Sequence, residues 1–287
     1  MRLSMNLLIK NEADIIEDNI RFHASQGVDC FVVMDNGSND GTREIIQALS
    51  SSFEIHLIDR PELDYQQSNW KTEMAVVSRK KLGANWSIAN DADEFWVNKS
   101  GNLKEEISST GSIVYCKRVN MLPDEKFHQP DFDYLSSPYR VNIPVLNKGQ
   151  DLINTTNLSI MLGNINGKVM VNNTGLLRVK GGNHRAWHLW GKINQRESSG
   201  TVVYHYPIRD KNKFIRTIEH RSKLLEKGVT KMGDHYRRWI KLYNENLIDE
   251  ELDRLTLNEK DASTLEKFGI VVNDTSIGDY IGKFIRS

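Results

Sequence analysis

Two aspartates, Asp91 and Asp93, follow a short apolar run at residues 86–89. The run predicts a buried strand, and Phe95 and Trp96 are placed to pack the acidic segment against a core. Ligands of open α/β sheets bind where the strands end. Ala92 separates the two aspartates, so in an extended segment both carboxylates point to the same side. Their oxygens there are suitable ligands for a hard divalent cation. The spacing therefore favours a metal site serving a phosphorylated substrate over the alternative, a solvated acidic turn.

The segments before this pair alternate between strand and helix patterns. We predict strands at 2–9, 28–34, 53–58 and 86–89, and helices at 14–26, 42–49 and 68–82. The nearly continuous apolar character of 28–34 is typical of a central parallel strand covered on both faces. The alternation predicts an α/β fold with a Rossmann-like, doubly wound, mostly parallel sheet.

Polar side chains also follow the first two predicted strands. Asn11 and Glu12 follow the first, and Asp35 opens a loop with two glycines after the second. Since parallel strands end at the same edge, these side chains are expected beside the acidic pair. An ordinary turn uses the same residue types. In the predicted helix at 68–82, Lys71 is a candidate for binding phosphate, and a solvent-facing lysine is the alternative.

Taken together, three segments resemble a known family: Lys10-Asn-Glu12, Asp35-Asn-Gly-Ser-Asn-Asp-Gly-Thr42 and Asn90-Asp-Ala-Asp-Glu-Phe95. Their succession is similar to the nucleotide-sugar half of family-two-type glycosyltransferases with the GT-A fold. It is most similar to the branch with an Asp-x-Asp-Glu-Phe metal motif, found among bacterial surface-polysaccharide transferases. The resemblance covers residues 3–97 and implies a GT-A-like fold.

The resemblance also implies roles for individual residues. Glu12 and Asp35 would contact the base and ribose of a nucleoside diphosphate sugar, with Asn11 beside them. Asp91 would contact the ribose or the metal, and Asp93 would hold Mn²⁺ or Mg²⁺ against the two phosphates. The reaction implied is transfer of a sugar, from UDP by analogy, to a glycan or lipid-linked acceptor with inversion.

The base and the third metal ligand are less well specified. The paired acidic motif that supplies the base in many relatives has no clear match here. Glu94 and His184 are the candidates, and three further residues stay open as alternatives: Asp124, Asp131 and Glu197. Because GT-A enzymes often add a late histidine to the metal, His205 and His184 are candidate ligands, ahead of His188.

The rest of the chain divides by pattern. We expect a catalytic domain at 1–205, with a nucleotide-sugar half at 1–97 and an acceptor half at 98–205, followed by a helical C-terminal extension at 206–287. Residues 168–171 and 176–179 predict a hairpin, and the proline-containing stretch at 120–162 predicts a binding loop or lid. Helices are predicted at 210–227 and 234–246. Three basic residues of the second, Arg237, Arg238 and Lys241, face either anionic lipid or solvent.

Composition excludes several classes of function. Basic and acidic residues number 38 each in 287, so no net charge recruits nucleic acid. Neither a signal peptide nor a transmembrane run is evident, which predicts a cytoplasmic location, with peripheral contact at the inner face of the membrane as an added expectation. Cys30 and Cys116 are expected to be buried thiols.

Two rival functions are weighed against sugar transfer. A nucleotidyltransferase making nucleotide sugars would share the sheet and the metal carboxylates, but the first loop, Lys10-Asn-Glu-Ala13, has no glycine to cradle phosphates. A non-catalytic glycan-binding or protein-binding module is the second rival, and it would not need a metal-dependent donor site.

Overall fold

A computed structural model describes residues 1–61, 67–145, 151–154, 159–228 and 232–286. The first half of the chain contains β1 (Leu3–Ile9), α1 (Ile16–Ser25), β2 (Cys30–Asp35), α2 (Thr42–Leu49), β3 (Ile55–Asp59), α3 (Gln67–Leu82), β4 (Trp86–Asn90), β5 (Glu94–Asn98), β6 (Ile113–Leu122) and β7 (Tyr139–Val141). The second half contains β8 (Lys168–Asn172), β9 (Leu176–Val179), β10 (Ala186–His188), β11 (Gln195–His205), α4 (Lys211–Glu226), α5 (Asp234–Asn244), α6 (Ile248–Leu255), α7 (Glu259–Lys267), β12 (Val271–Asn273) and α8 (Ser276–Phe284).

Contacts divide the chain into two compact units. The first comprises Met1–Arg118, Asn166–His205 and a short return from residue 284, and the second comprises Val119–Ile165 and Tyr206–Lys283. One boundary between the units falls between residues 205 and 206. Residues 119–165 belong by their contacts to the second unit, with the helical region. The catalytic domain and its acceptor half stay predictions.

The first unit is built on the parallel strands β3, β2, β1 and β4, in that order. β2 is buried along its whole length. Val32 and Met34 pack against Trp70 and Met74 of α3, while Phe31 alternates to the opposite face and is buried as well. Burial of both faces explains why this strand has no polar alternation. The predicted α/β class, with a doubly wound parallel half-sheet followed by a helical region, is confirmed.

Antiparallel strands extend this sheet beyond β4. β8 pairs with β4 and also with the start of β6, while β11 pairs with β5. The predicted hairpin between 168–171 and 176–179 is therefore wrong: β9 pairs with β10 instead. All five residues of β8 are buried, so this strand needs partners on both sides, and a two-stranded hairpin offers only one.

The second unit has its own hydrophobic core. Its helices bury Phe214, Ile218, Trp239 and Leu252 together with side chains of 119–165 such as Phe127. The predicted irregular stretch contains short 3₁₀ turns and β7, which pairs with β12.

One basic residue of α5 differs from its predicted place at the surface. Arg238 is fully buried and donates two hydrogen bonds to the carboxylate of Glu251, at 2.7 and 2.8 Å. Arg238 therefore cannot contact lipid, and its charge belongs to the interior of this unit. Within the described residues, no helix is both long enough and apolar enough to span a bilayer.

Candidate functional site

The acidic segment forms a tight turn between β4 and β5. The backbone N–H of Glu94 donates to the carbonyl of Asp91 at 3.1 Å, so the extended conformation predicted for 91–93 is wrong. The buried Asn19 of α1 fixes the turn by donating to the carbonyls of Ala92 and Glu94, at 2.8 and 2.9 Å. The Trp96 indole N–H donates to Asn90 at 2.8 Å. As predicted, the flanking aromatic residues are buried against the core.

Because the segment turns, Asp91 and Asp93 have different partners. Lys71 Nζ donates to one oxygen of Asp91 at 3.0 Å, and Lys168 Nζ donates to the other at 2.6 Å. Both lysines are almost completely buried. Burial opposes the charged form of Asp91, but the two ammonium groups outweigh it and hold the pKa of Asp91 well below its usual range. Lys71 thus lies at the site through Asp91 and does not face solvent.

Glu94 lies on the other side of Lys168 and is fully buried. Its Oε1 accepts from Lys168 at 2.8 Å and from Arg118 at 2.7 Å. Its Oε2 has no hydrogen-bond partner among the residues the structure describes. A buried carboxylate oxygen without a donor costs free energy, so this atom is suited to a further cation.

Asp93, Glu94 and His205 each offer a ligand atom, and the three atoms lie within 4.8 Å of one another. The pairing of β11 with β5 produces this cluster because it sets His205 opposite Glu94. His205 Nε2 lies 3.5 Å from an oxygen of Asp93. Two carboxylates and an imidazole fit a divalent transition metal, and the imidazole favours Mn²⁺ over Mg²⁺, which prefers oxygen ligands. Asp91, the other predicted ligand, is not one of the three.

The loops after β1 and β2 lie beside this turn, since β1 is hydrogen-bonded to both β2 and β4. Asp35 is buried, and its Oδ1 accepts from the backbone and hydroxyl of Ser38, at 3.0 and 2.6 Å. Asn11 has a positive φ of 57° and accepts from the backbone of Asn39 at 2.9 Å. Glu12 donates its backbone N–H to Thr42 at 2.8 Å. The two loops therefore brace each other at the carboxyl edge of the sheet.

The other histidines occupy distinct settings. His184 Nδ1 donates to the carbonyl of Gly167 at 2.8 Å, which leaves Nε2 with its lone pair. Burial and the nearby Lys168 lower the pKa of His184 to about 4, so its ring is neutral at neutral pH. His188 is buried, and its Nε2 donates to the carbonyl of Asn172 at 3.2 Å. His188 is thus a packing residue.

Sequence reasoning missed Lys168 and Arg118, which carry much of the charge around the acidic turn. Both had a usable signal. Lys168 opens a strand whose remaining residues are buried, and Arg118 follows an apolar stretch of β6. A cation on a buried strand needs a carboxylate partner, and in the structure the acidic turn supplies it for both residues.

Comparisons with known proteins find matches among solved structures. No protein-family model matches the sequence, and a search of curated proteins finds no match to it. Among solved structures, Staphylococcus aureus TarS 1–349 in complex with UDP has 12% identity, covers 88% of this chain and 71% of that chain, and has a TM-score of 0.44. Mycobacterium tuberculosis glucosyl-3-phosphoglycerate synthase in complex with Mn²⁺ and UDP-glucose has 20% identity, covers 42% of this chain and 43% of that chain, and has a TM-score of 0.28. Because both TM-scores are below 0.5, these two structures carry no argument about function, which rests on the geometry described above.

Proposed function

We propose that the chain is a metal-dependent glycosyltransferase that moves a sugar from a nucleoside diphosphate, UDP in the first instance, to a hydroxyl of a glycan or lipid-linked acceptor. The transfer inverts the anomeric centre. The setting proposed is cytoplasmic assembly of a surface polysaccharide such as capsule or lipopolysaccharide. The observation that carries the proposal is the cluster of Asp93, Glu94 and His205 at the carboxyl edge of the parallel sheet.

The position of the cluster in the sheet supports diphosphate binding. In doubly wound sheets, the ligand sits beyond the carboxyl ends of the strands, and both Asp35 and the acidic turn are found there. A divalent cation held by Asp93, Glu94 and His205 would neutralise charge on the diphosphate leaving group. Asn11, Glu12 and Asp35 would bind the nucleoside.

Asp91 has a separate part in this proposal. With its charge held by Lys71 and Lys168, it is a fixed hydrogen-bond acceptor, which suits a ribose hydroxyl better than a metal already supplied with three ligands. The two buried lysines would act as positioning residues. They orient Asp91 and keep it ionised without contacting the donor.

His184 is the proposed base for the acceptor hydroxyl. Its neutral ring can accept a proton at Nε2, because Nδ1–H is already donated to Gly167. Glu94, the other candidate, is fully buried and bonded to two cations, which suits metal binding better than proton transfer. We expect His184→Gln to lower kcat by about a hundredfold or more while leaving the donor Kd unchanged. Equal losses in kcat and in donor affinity would assign His184 to donor binding instead.

Calorimetry with UDP, GDP and dTDP, each with Mn²⁺ and with EDTA, tests the donor site. A glycosyltransferase of this kind should bind one of the three diphosphates only when metal is present. Asp93→Asn should abolish the Mn²⁺-dependent binding of the diphosphate, because the substitution removes a charged ligand from the cluster. Asp249→Asn, at an exposed surface ion pair of α6, is the matched control and should bind like the wild type.

The rival functions give different results in the same titrations. Equal diphosphate binding in EDTA would favour a non-catalytic module, and affinity for a nucleoside triphosphate alone would favour a nucleotidyltransferase. A hydrolysis screen over UDP-, GDP- and dTDP-sugars then identifies the donor.

A further inference from the structure

An exposed apolar surface lies on the hairpin of β9 and β10 and the turns that follow it. Leu189 and Ile193 are 69% and 68% exposed, and Trp187 is 48% exposed. Large apolar side chains at such exposure are scattered singly on most soluble proteins, but here they fall within seven residues. With Trp190 and the exposed cations Arg178 and Lys192, they form what we call the hairpin surface.

The backbone presents these side chains in a fixed arrangement. Leu189 N–H donates to the carbonyl of Gly175 at 2.8 Å, and Ile193 N–H donates to the carbonyl of Trp190 at 3.0 Å. The ring of Trp190 lies 4.7 Å from the buried ring of His188. The guanidinium carbon of Arg178 lies 5.7 Å from the centre of the Trp187 ring. Apolar and cationic groups therefore share one preformed surface.

Charge is distributed unevenly around this surface. No Asp or Glu occurs between Asp151 and Glu197, although the whole chain has as many acidic as basic residues. The same stretch carries Arg178, Lys180, Arg185 and Lys192, all exposed. The hairpin surface thus combines exposed tryptophan and aliphatic side chains with positive charge in an acid-free stretch.

We propose that the hairpin surface docks on an anionic lipid bilayer. Tryptophan is favoured at the level of lipid headgroups, aliphatic tips insert just below them, and lysine and arginine attract anionic lipid. A second copy of the chain is a poorer occupant, because two such surfaces would bring like charges together. The docking surface is distinct from α5, whose Arg238 is buried, and it does not depend on the proposed sugar transfer.

Vesicle sedimentation tests the docking. The full chain is mixed with vesicles of phosphatidylcholine alone, or with vesicles in which about a third of the lipid is phosphatidylglycerol. We expect at least about tenfold tighter binding to the anionic vesicles, reversed by high salt. Leu189→Ser with Ile193→Ser should weaken binding about tenfold by removing the inserting side chains. Lys180→Gln with Lys192→Gln should weaken binding about 25-fold, at about fivefold for each cation removed.

A matched control lies on α7 and the residue that follows it. Lys267→Gln with Phe268→Ser removes an exposed cation and a 73% exposed aromatic side chain, and it should bind like the wild type. Circular dichroism checks that each variant folds. Docking is refuted if the wild type does not bind anionic vesicles at low salt. It is also refuted if both double variants of the hairpin surface bind the vesicles as tightly as the wild type. It is also refuted if gel filtration finds a dimer that Leu189→Ser with Ile193→Ser dissociates, without any vesicle binding.

Discussion

Lys168 is the residue on which the charges around the acidic turn depend most. It donates to Asp91 and to Glu94, while Lys71 and Arg118 each reach only one of them. Removing Lys168 leaves Asp91 and Glu94 with one cation each, and Glu94 is fully buried, where charge is costly. The residue most important for the stability of this cluster is therefore one that does not contact the proposed metal.

We predict that Lys168→Met destabilises the fold by about 3 kcal/mol in urea unfolding. Adding Glu94→Gln to this variant should restore part of the loss, because the second change removes the buried carboxylate charge that Arg118 alone then has to balance. Lys267→Met, at an exposed lysine in the last turn of α7, should change stability by less than about 0.5 kcal/mol. A loss of stability below about 1 kcal/mol for Lys168→Met would mean that Lys71 and Arg118 are enough to balance the charges of Asp91 and Glu94.

At the scale of elements, local pattern predicted more than long-range pairing did. α2 matches its predicted range, and β1, α3 and α4 lie within one residue of theirs at each end. Glycines at 83 and 228 supply the stop signals after α3 and α4. The partner of β8 could not be predicted, since β8 pairs with β4 and β6 across long stretches of chain. The same limit applies to the site: the acids were visible in one motif, but the pairing of His205 with Glu94 is set by strand register.

Glu106 provides an element-scale prediction about pH. Burial raises the pKa of Glu106, but donors on β11, including Ser198, Arg196 and the backbone of Gly200, outweigh burial and lower it to about 2. The folded pKa is below the unfolded value, so this stabilisation is present above about pH 4.5 and is lost as the pH falls towards about 2. Glu106→Gln should cost on the order of 2 kcal/mol at neutral pH and weaken the acid dependence of urea midpoints. Glu105→Gln, at the exposed neighbouring residue, is the control. If the urea midpoints of the two variants depend on pH in the same way, Glu106 is not the source of the acid sensitivity.

Two glycines of α8 allow a second test at this scale. A Cβ on Gly278 would lie 2.3 Å from the carbonyl oxygen of Leu135, whereas a Cβ on Gly282 would meet nothing within 4 Å. Gly278→Ala should therefore destabilise by about 1–3 kcal/mol through overpacking. Gly282→Ala should stabilise by about 0.5–1 kcal/mol through helix propensity. The two variants are compared by thermal unfolding. Equal changes in Tm would mean that α8 is not packed against the backbone at Leu135.

At the scale of the whole molecule, both thiols are predicted to report unfolding. Cys30 and Cys116 are free and buried, and burial raises the pKa of Cys116 to about 12. We expect Ellman's reagent to label the native protein only as fast as it opens, and to label it at once in urea. Ser51→Cys, at an exposed position, should react immediately in the native state. Rapid native labelling of the wild type would indicate local opening of β2 or β6.

The division into two units also constrains how the protein can be made. After residue 118 the chain leaves the first unit, returns at 166, leaves again after 205 and returns once more near 284. On that last return Arg286 donates to Asp18 of α1 at 2.7 Å, closing a sequence separation of 268 residues. A nascent chain emerging from the ribosome could not complete its first-translated unit early. Asp18 waits for a partner that is synthesised 268 residues later, so the first unit is completed only after residues 119–165 and 206–283 of the second unit have been made.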